Sequence, residues 1–237
     1  IPDQIPRTLP EVVESAPGRA VAGLVTHLHR DHADAGALVA ALAPQAPVYE
    51  PPKTTGDGVE IAGLLQAEAE LTACGLRREP LAPWDRREVG PFRVTALPAV
   101  DGLGDPQVSW LVEADGVRIV HLGDTMPHGG WWPIALRHGP IDVAFVPANG
   151  AVVRFPHRRP ASPLPVAMDP PQAAAAARAL GAAAAVPIHA EGYAVDGFYT
   201  PVPEAVGMFA AEAAALGVTT CVPVLGVPVE VTATVQA

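Results

Sequence analysis

Thr26-His27-Leu28-His29-Arg30-Asp31-His32 is the stretch on which the reading of this 237-residue chain turns. Three imidazoles and a carboxylate crowd together at the end of the apolar run 21–25. That run reads as a buried strand, and residues 31–43 read as a helix with Asp31 as N-cap and Asp34 as its capping partner. The cluster therefore falls on a strand-to-helix turn. If the chain stays extended through Asp31, a period of two places His27, His29 and Asp31 on one side, with His32 projecting from the first helical turn. Imidazoles with a carboxylate suit a borderline ion such as zinc, and the alternating directions leave room for two ions.

Further along, the same placement recurs. Residues 92–97, 108–114 and 117–122 alternate like strands, and Asp115-Gly116 between the last two is a strong hairpin signal. The third of these strands closes on Leu122-Gly123-Asp124-Thr125, so Asp124 emerges at a sheet edge as His27 does. Residues 141–146 form another strand, followed by the loop Pro147-Ala148-Asn149-Gly150. Asp169 with Pro170 opens an alanine-rich helix that stops at Gly181. The strand 183–188 then delivers His189 from Pro187-Ile188-His189. A lone histidine there would read as a core residue, but a third polar residue at a strand's C-terminal end fits the place where α/β sheets build sites. Residues 9–15 and 58–75 read as helices and 46–49 as a short strand.

His27-x-His29-x-Asp31-His32, the Gly123-Asp124-Thr125 turn and the strand-terminal His189 together resemble the metallo-β-lactamase superfamily over residues 21–193. Within it, the order of strand, loop, Asp169-led helix and Pro-Ile-His is similar to the branch of ascorbate-6-phosphate lactonase-like and N-acyl-phosphatidylethanolamine phospholipase-like proteins. The resemblance implies a four-layer αββα sandwich and a metal-dependent hydrolase acting on an ester, lactone, amide or phosphodiester. It also implies a ligand set: His27 and His29 for a first ion, Asp31, His32 and His189 for a second, and Asp124 bridging both. Asp31 and Asp124 are the expected catalytic carboxylates. Two zinc ions are expected, or one, with manganese or iron as alternatives.

One departure from that pattern stands out. The family places a further histidine after the strand 92–97, whereas this chain reads Leu97-Pro98-Ala99-Val100-Asp101-Gly102-Leu103-Gly104-Asp105. Asp101 is either the substitute ligand, with Asp105 behind it, or simply a turn residue before Gly102. As a ligand it would make the pocket harder and favour manganese, iron or magnesium alongside zinc. Two other functions stay open on this ground: a degenerate member that binds a metabolite or partner without turnover, and a di-iron redox protein.

The substrate-facing candidates are His128, Trp131, Asn149, His157 and Tyr193. His157 lies with Phe155, Arg158 and Arg159 in a proline-rich insertion of the kind that often forms a lid, and its arginines could hold an anionic group. Trp131 and Trp132 read equally well as core of a short helix. His121 reads as a core or supporting residue, and His138 as a cation at a helix C-terminus.

A chain with 49% hydrophobic residues has ample core for one layered α/β domain. The net charge of -10 argues against nucleic-acid and anionic-lipid surfaces, leaving a small molecule as the expected partner, and a homo-oligomer is compatible with it. Cys74 and Cys221 match no redox or metal spacing, which fits a cytoplasmic setting, and no apolar run is long enough to span a membrane. The family fold has several strands ahead of its first motif. With about twenty residues there and Ile1 in place of an initiator methionine, the expectation is a single domain, 1–237, lacking an N-terminal segment.

Overall fold

The computed structural model describes residues 17–53, 61–155, 160–190 and 194–224, with Val227, Val229 and Val231. The helix expected at 9–15 and the candidates His157, Arg158, Arg159 and Tyr193 lie outside the described residues.

Two sheets stack face to face. The smaller is parallel throughout, in the order β1 (Gly23–Leu24), β2 (Pro47–Glu50), β3 (Arg77–Pro80). Parallel neighbours need crossovers, and α1 (Ala35–Ala41) and α2 (Ile61–Ala73) supply them. Leu64, Ala67 and Leu71 recur on one face of α2 and pack with Val25 and Val48, so both helices cover the outside of this sheet.

The larger sheet begins as an antiparallel meander of β4 (Arg86–Val89), β5 (Phe92–Pro98), β6 (Val108–Ala114) and β7 (Val117–His121). Asp115 at φ 49° and Gly116 at φ 80° turn β6 into β7, which is the backbone that a two-residue hairpin loop requires. The sheet continues in parallel through β8 (Ile141–Pro147) and β10 (Ala182–Ile188) to β12 (Thr219–Thr220). Its outer face carries α3 (Trp131–His138), α4 (Pro170–Ala179) and α5 (Ala205–Ala215), sealed by Leu111, Val120, Ile134, Ala173 and Phe209. Asp169 accepts from Gln172 N while the Gln172 side chain returns to Asp169 N, a full capping box that fixes where α4 starts. The strands β9 (Val152–Val153) and β11 (Tyr199–Thr200) form a small antiparallel pair.

Between the sheets lie Tyr49 and Leu81 from the smaller side and Val94, Ala96, Val108 and Trp110 from the larger. Helices, sheet, sheet and helices in succession make the expected αββα sandwich.

The opening of α1 departs from the sequence expectation. Asp34 rather than Asp31 is the N-cap, accepting from Ala37 N at 2.9 Å, and the helix starts at Ala35. His29 O instead accepts from His32 N and Ala33 N at 2.9 and 3.0 Å, so the chain turns immediately after His29. The extended run does not reach Asp31, and His32 sits in a turn, not in a helix. Sequence propensity alone does not separate two aspartates three residues apart as caps; the tight turn decides between them.

Candidate metal centre

Every strand-terminal residue singled out in the sequence arrives at one rim. His27 to His32 follow β1, Asp101 follows β5, Asp124 follows β7 and His189 follows β10. Local packing forces these turns together. Gly123 has φ 63°, and a Cβ there would stand 2.9 Å from Thr26 Cβ, so only glycine lets the Asp124 turn approach the first motif. Thr125 Oγ1 accepts from Val100 N at 2.9 Å, tying the Asp124 turn to the Asp101 turn. Val108 N donates to Thr26 O at 2.9 Å and Ser109 Oγ to Leu122 O at 2.9 Å, anchoring the rim to β6.

Three groups of donor atoms result, each with its atoms within 4.8 Å of one another: His27, His29, Asp101; His27, His32, Asp124; and Asp31, His32, His189. Asp124 Oδ2 lies 3.2 Å from both His32 Nε2 and His189 Nε2, between the outer two groups. His27 Nδ1 lies 3.0 Å from Thr26 Oγ1, and with the proton held there the fully buried Nε2 keeps its lone pair. His29 Nε2–H donates to Asp105 Oδ2 at 2.9 Å, which leaves Nδ1 as the donor atom on that ring. Asp101 closes its turn and also stands among the candidate donors. Its Oδ1 accepts from Leu103 N at 2.6 Å, closing the turn, and a carboxyl oxygen of the same residue belongs to the first donor group.

Asp124 is an anion, while His32 carries a proton that a bound cation would have to displace. Burial pushes the Asp124 carboxyl up, but the His189 charge and the His32 hydrogen bond outweigh it and hold the group well below the usual carboxylate range. Burial likewise depresses His32, yet its hydrogen bond to Asp124 and that residue's charge lift it to about 9. His27, enclosed and facing His32, is lowered well below its ordinary value and stays neutral. Burial raises Asp101, opposed by the neighbouring His29. Among the described residues His27 Nε2, Asp124 Oδ1 and His189 Nδ1 are buried without a hydrogen-bond partner. Buried polar atoms of this kind cost roughly 1–3 kcal/mol each when left unsatisfied, and an ion among them would remove that penalty for the first two. The residues present fit one or two divalent ions.

The substrate-facing candidates distribute differently. Trp131 is buried in the core beneath α3, while Trp132 is exposed. His128 stacks on Trp131 at 3.9 Å and accepts from Gly130 N through Nδ1 at 2.9 Å. Asn149 Nδ2 donates to Tyr199 Oη at 2.8 Å and its Oδ1 accepts from Ala151 N at 3.1 Å, so the amide is engaged in shaping its own loop. His121 stacks on Phe145 and accepts from Gly123 N at 3.2 Å. Sequence reasoning passed over Asp105 as the partner of His29, Thr26 and Thr125 as anchors, and Tyr199, whose ring lies 6.5 Å from that of His189. Asp105 had a signal in its spacing from Asp101; Tyr199 had none.

The chain is similar to several known proteins. A family model described as a beta-lactamase superfamily domain matches residues 2–190. A UPF0173 metal-dependent hydrolase from Thermococcus onnurineus (strain NA1) is 27% identical over 177 residues, 70% of this chain and 65% of that protein. The match thus spans just under two thirds of that relative. Among solved structures, a metallo hydrolase from Ignicoccus hospitalis KIN4/I is 17% identical with a TM-score of 0.61, covering 89% of this chain and 78% of the other. CmlA, a diiron beta-hydroxylase from Streptomyces venezuelae, is 18% identical with a TM-score of 0.66, covering 89% and 45%. These two likenesses concern the fold. The family match extends over most of the chain and contains every donor residue at the rim, and on that ground the protein belongs to the metallo-β-lactamase-fold superfamily.

Proposed function

We propose that this chain is a metal-dependent hydrolase of a small ester, lactone, amide or phosphodiester. The observation that carries the reading is the convergence of seven donor side chains from four strand ends around Asp124. His27, His29 and Asp101 would hold a first ion and Asp31, His32 and His189 a second, with Asp124 the carboxylate shared between them. Each group offers two imidazoles and one carboxylate, a set that suits zinc and also admits manganese or iron. Bound there, the ions supply Lewis acidity, making a water more acidic and polarising a carbonyl or phosphoryl oxygen.

The chain's own residues do the rest. The Asp105 carboxylate fixes the tautomer of His29, leaving Nδ1 as its lone pair, and Thr26 orients the His27 ring through Nδ1 so that Nε2 faces the rim. Asp31 is half exposed and lies 3.6 Å from His32 Nε2, placed to take a proton from the rim and pass it to solvent. Asp124, held anionic, balances the positive charge gathered between the two groups.

A net charge of -10 disfavours polyanionic substrates, and no helix among the described residues is long and apolar enough to cross a membrane. Elemental analysis of the purified protein followed by an ester, lactone, amide and phosphodiester panel tests the reading. At least one equivalent of transition metal together with metal-dependent turnover is expected. Less than about a tenth of an equivalent after metal-supplemented growth would overturn it.

A further inference from the structure

A cavity of about 330 Å³ opens directly beside Asp101. Leu103 and Met126 line it from the turns that carry Asp101 and Asp124, and Phe155, Leu164 and Val166 line it from the proline-rich insertion. Nine of its twelve lining residues have apolar side chains, and Asp101 is the one charged residue among them. Ser162 Oγ accepts from Leu164 N at 3.0 Å, which leaves its O–H as the one side-chain hydroxyl donor on the lining.

An anionic group in that space would find a single hydroxyl donor, Ser162, and would face the Asp101 carboxylate, whereas an apolar group meets nine apolar side chains. At roughly 30 Å³ for each water-sized group, the space accommodates about ten non-hydrogen atoms. The insertion is fixed to the site by a close backbone contact, since a Cβ on Gly102 would stand 2.4 Å from Val166 O. The apolar wall and the donor group at Asp101 therefore form one continuous surface.

We propose that this cavity is the substrate subsite and takes a compact uncharged apolar group, a medium-length acyl chain or its equivalent, joined to the carbonyl that is cleaved. The assignment rests on the hydrolase reading above. Hydrolysis breaks the acyl C–O bond, water's oxygen joins the acyl carbon, and its two protons end on the leaving alcohol and the acid product.

The test has a turnover arm and a binding arm, both on the metal-loaded protein. Across p-nitrophenyl acetate, hexanoate and dodecanoate, kcat/KM should rise at least tenfold from acetyl to hexanoyl and fall again at dodecanoyl, as burial contributes about fourfold per methylene until the space is filled. In calorimetry, 1-hexanol should bind one to a site, and 1,2,6-hexanetriol at least tenfold more weakly. Leu164→Glu adds a charge to the cavity at a residue 69% exposed, where the fold tolerates it. It should weaken 1-hexanol binding at least tenfold with metal content unchanged. Equal binding of alcohol and triol, or unchanged 1-hexanol binding in Leu164→Glu, would overturn the subsite. Ester turnover without chain-length preference and without hexanol binding sinks the subsite and spares the hydrolase reading. Hexanol binding lost in Leu164→Glu without turnover of any ester does the reverse.

Discussion

The two donor groups on either side of Asp124 are built in opposite ways. In the first, His27 leans on Thr26, His29 on Asp105, and Asp101 on Leu103 N, so each side chain is fixed before any ion arrives. In the second, the Asp31 side chain is 51% exposed, and His32 and His189 meet the protein chiefly through the shared Asp124 oxygen. A prefixed donor set loses little conformational entropy on binding, whereas a loose, exposed set leaves coordination positions for substrate. The contrast predicts a tightly retained first ion and an exchangeable second one, with Asp124 common to both.

Substitutions at four positions probe that contrast. Asp124→Ala removes the shared carboxylate and should lower affinity for both ions by more than about a hundredfold, beyond the range of outer-shell changes. Elemental analysis after dialysis would show both equivalents lost; retention equal to that of an Asp105→Ala control would break the assignment. Next, Asp101→Ala should release the first ion while the second stays. Asp101→His should restore it with a preference moved toward zinc, because imidazole is the softer donor. Competition titrations with zinc and manganese read both outcomes, and unchanged stoichiometry in Asp101→Ala would show that the residue only closes a turn.

Asp105→Asn keeps the shape but weakens the acceptor for His29 Nε2–H, and a loss of about 10–100-fold confined to the first ion is expected. An equal loss at both ions would mean that the two groups do not differ in the way proposed. Smallest is Gly102→Ala, whose Cβ would meet Val166 O at 2.4 Å. It should cost about 1–3 kcal/mol in denaturant unfolding and loosen the first ion several-fold, leaving the second alone.

The sequence made the site legible to the extent that ligands cluster at the ends of apolar runs. β6 and the Asp169 cap could be placed to the residue because alternation, Asp115-Gly116 and the Pro170 signal all act locally. Strands β3 and β4 could not. They read Arg77-Arg78-Glu79-Pro80 and Arg86-Arg87-Glu88-Val89, with no apolar alternation, because they are held by ion pairs across strands: Arg78 with Glu50 at 2.8 Å and Arg87 with Glu79 at 2.6 Å. Such pairs, 28 and 8 residues apart in sequence, leave no periodic trace. The helix α5 went unread for a related reason. Its composition is nearly featureless, and Ala205, Phe209 and Ala213 define its inner face. At the rim, the position of Asp101 was readable, but its double use was not. That depends on Leu103 N and His29 reaching the same carboxyl group from different segments.

The contact between Gly102 and Val166 also bears on how such a protein can be recombined. Because the backbone of the insertion rests on the backbone of the Asp101 turn with no side chain between them, the two segments cannot be exchanged independently. A chimera that imports a relative's turn with a side chain at position 102, without the matching insertion, would meet a steric conflict beside Asp101. Transplanting 99–105 and 150–169 as a pair keeps that seam intact, which makes the pair, and neither segment alone, the natural unit for moving substrate preference between proteins of this fold.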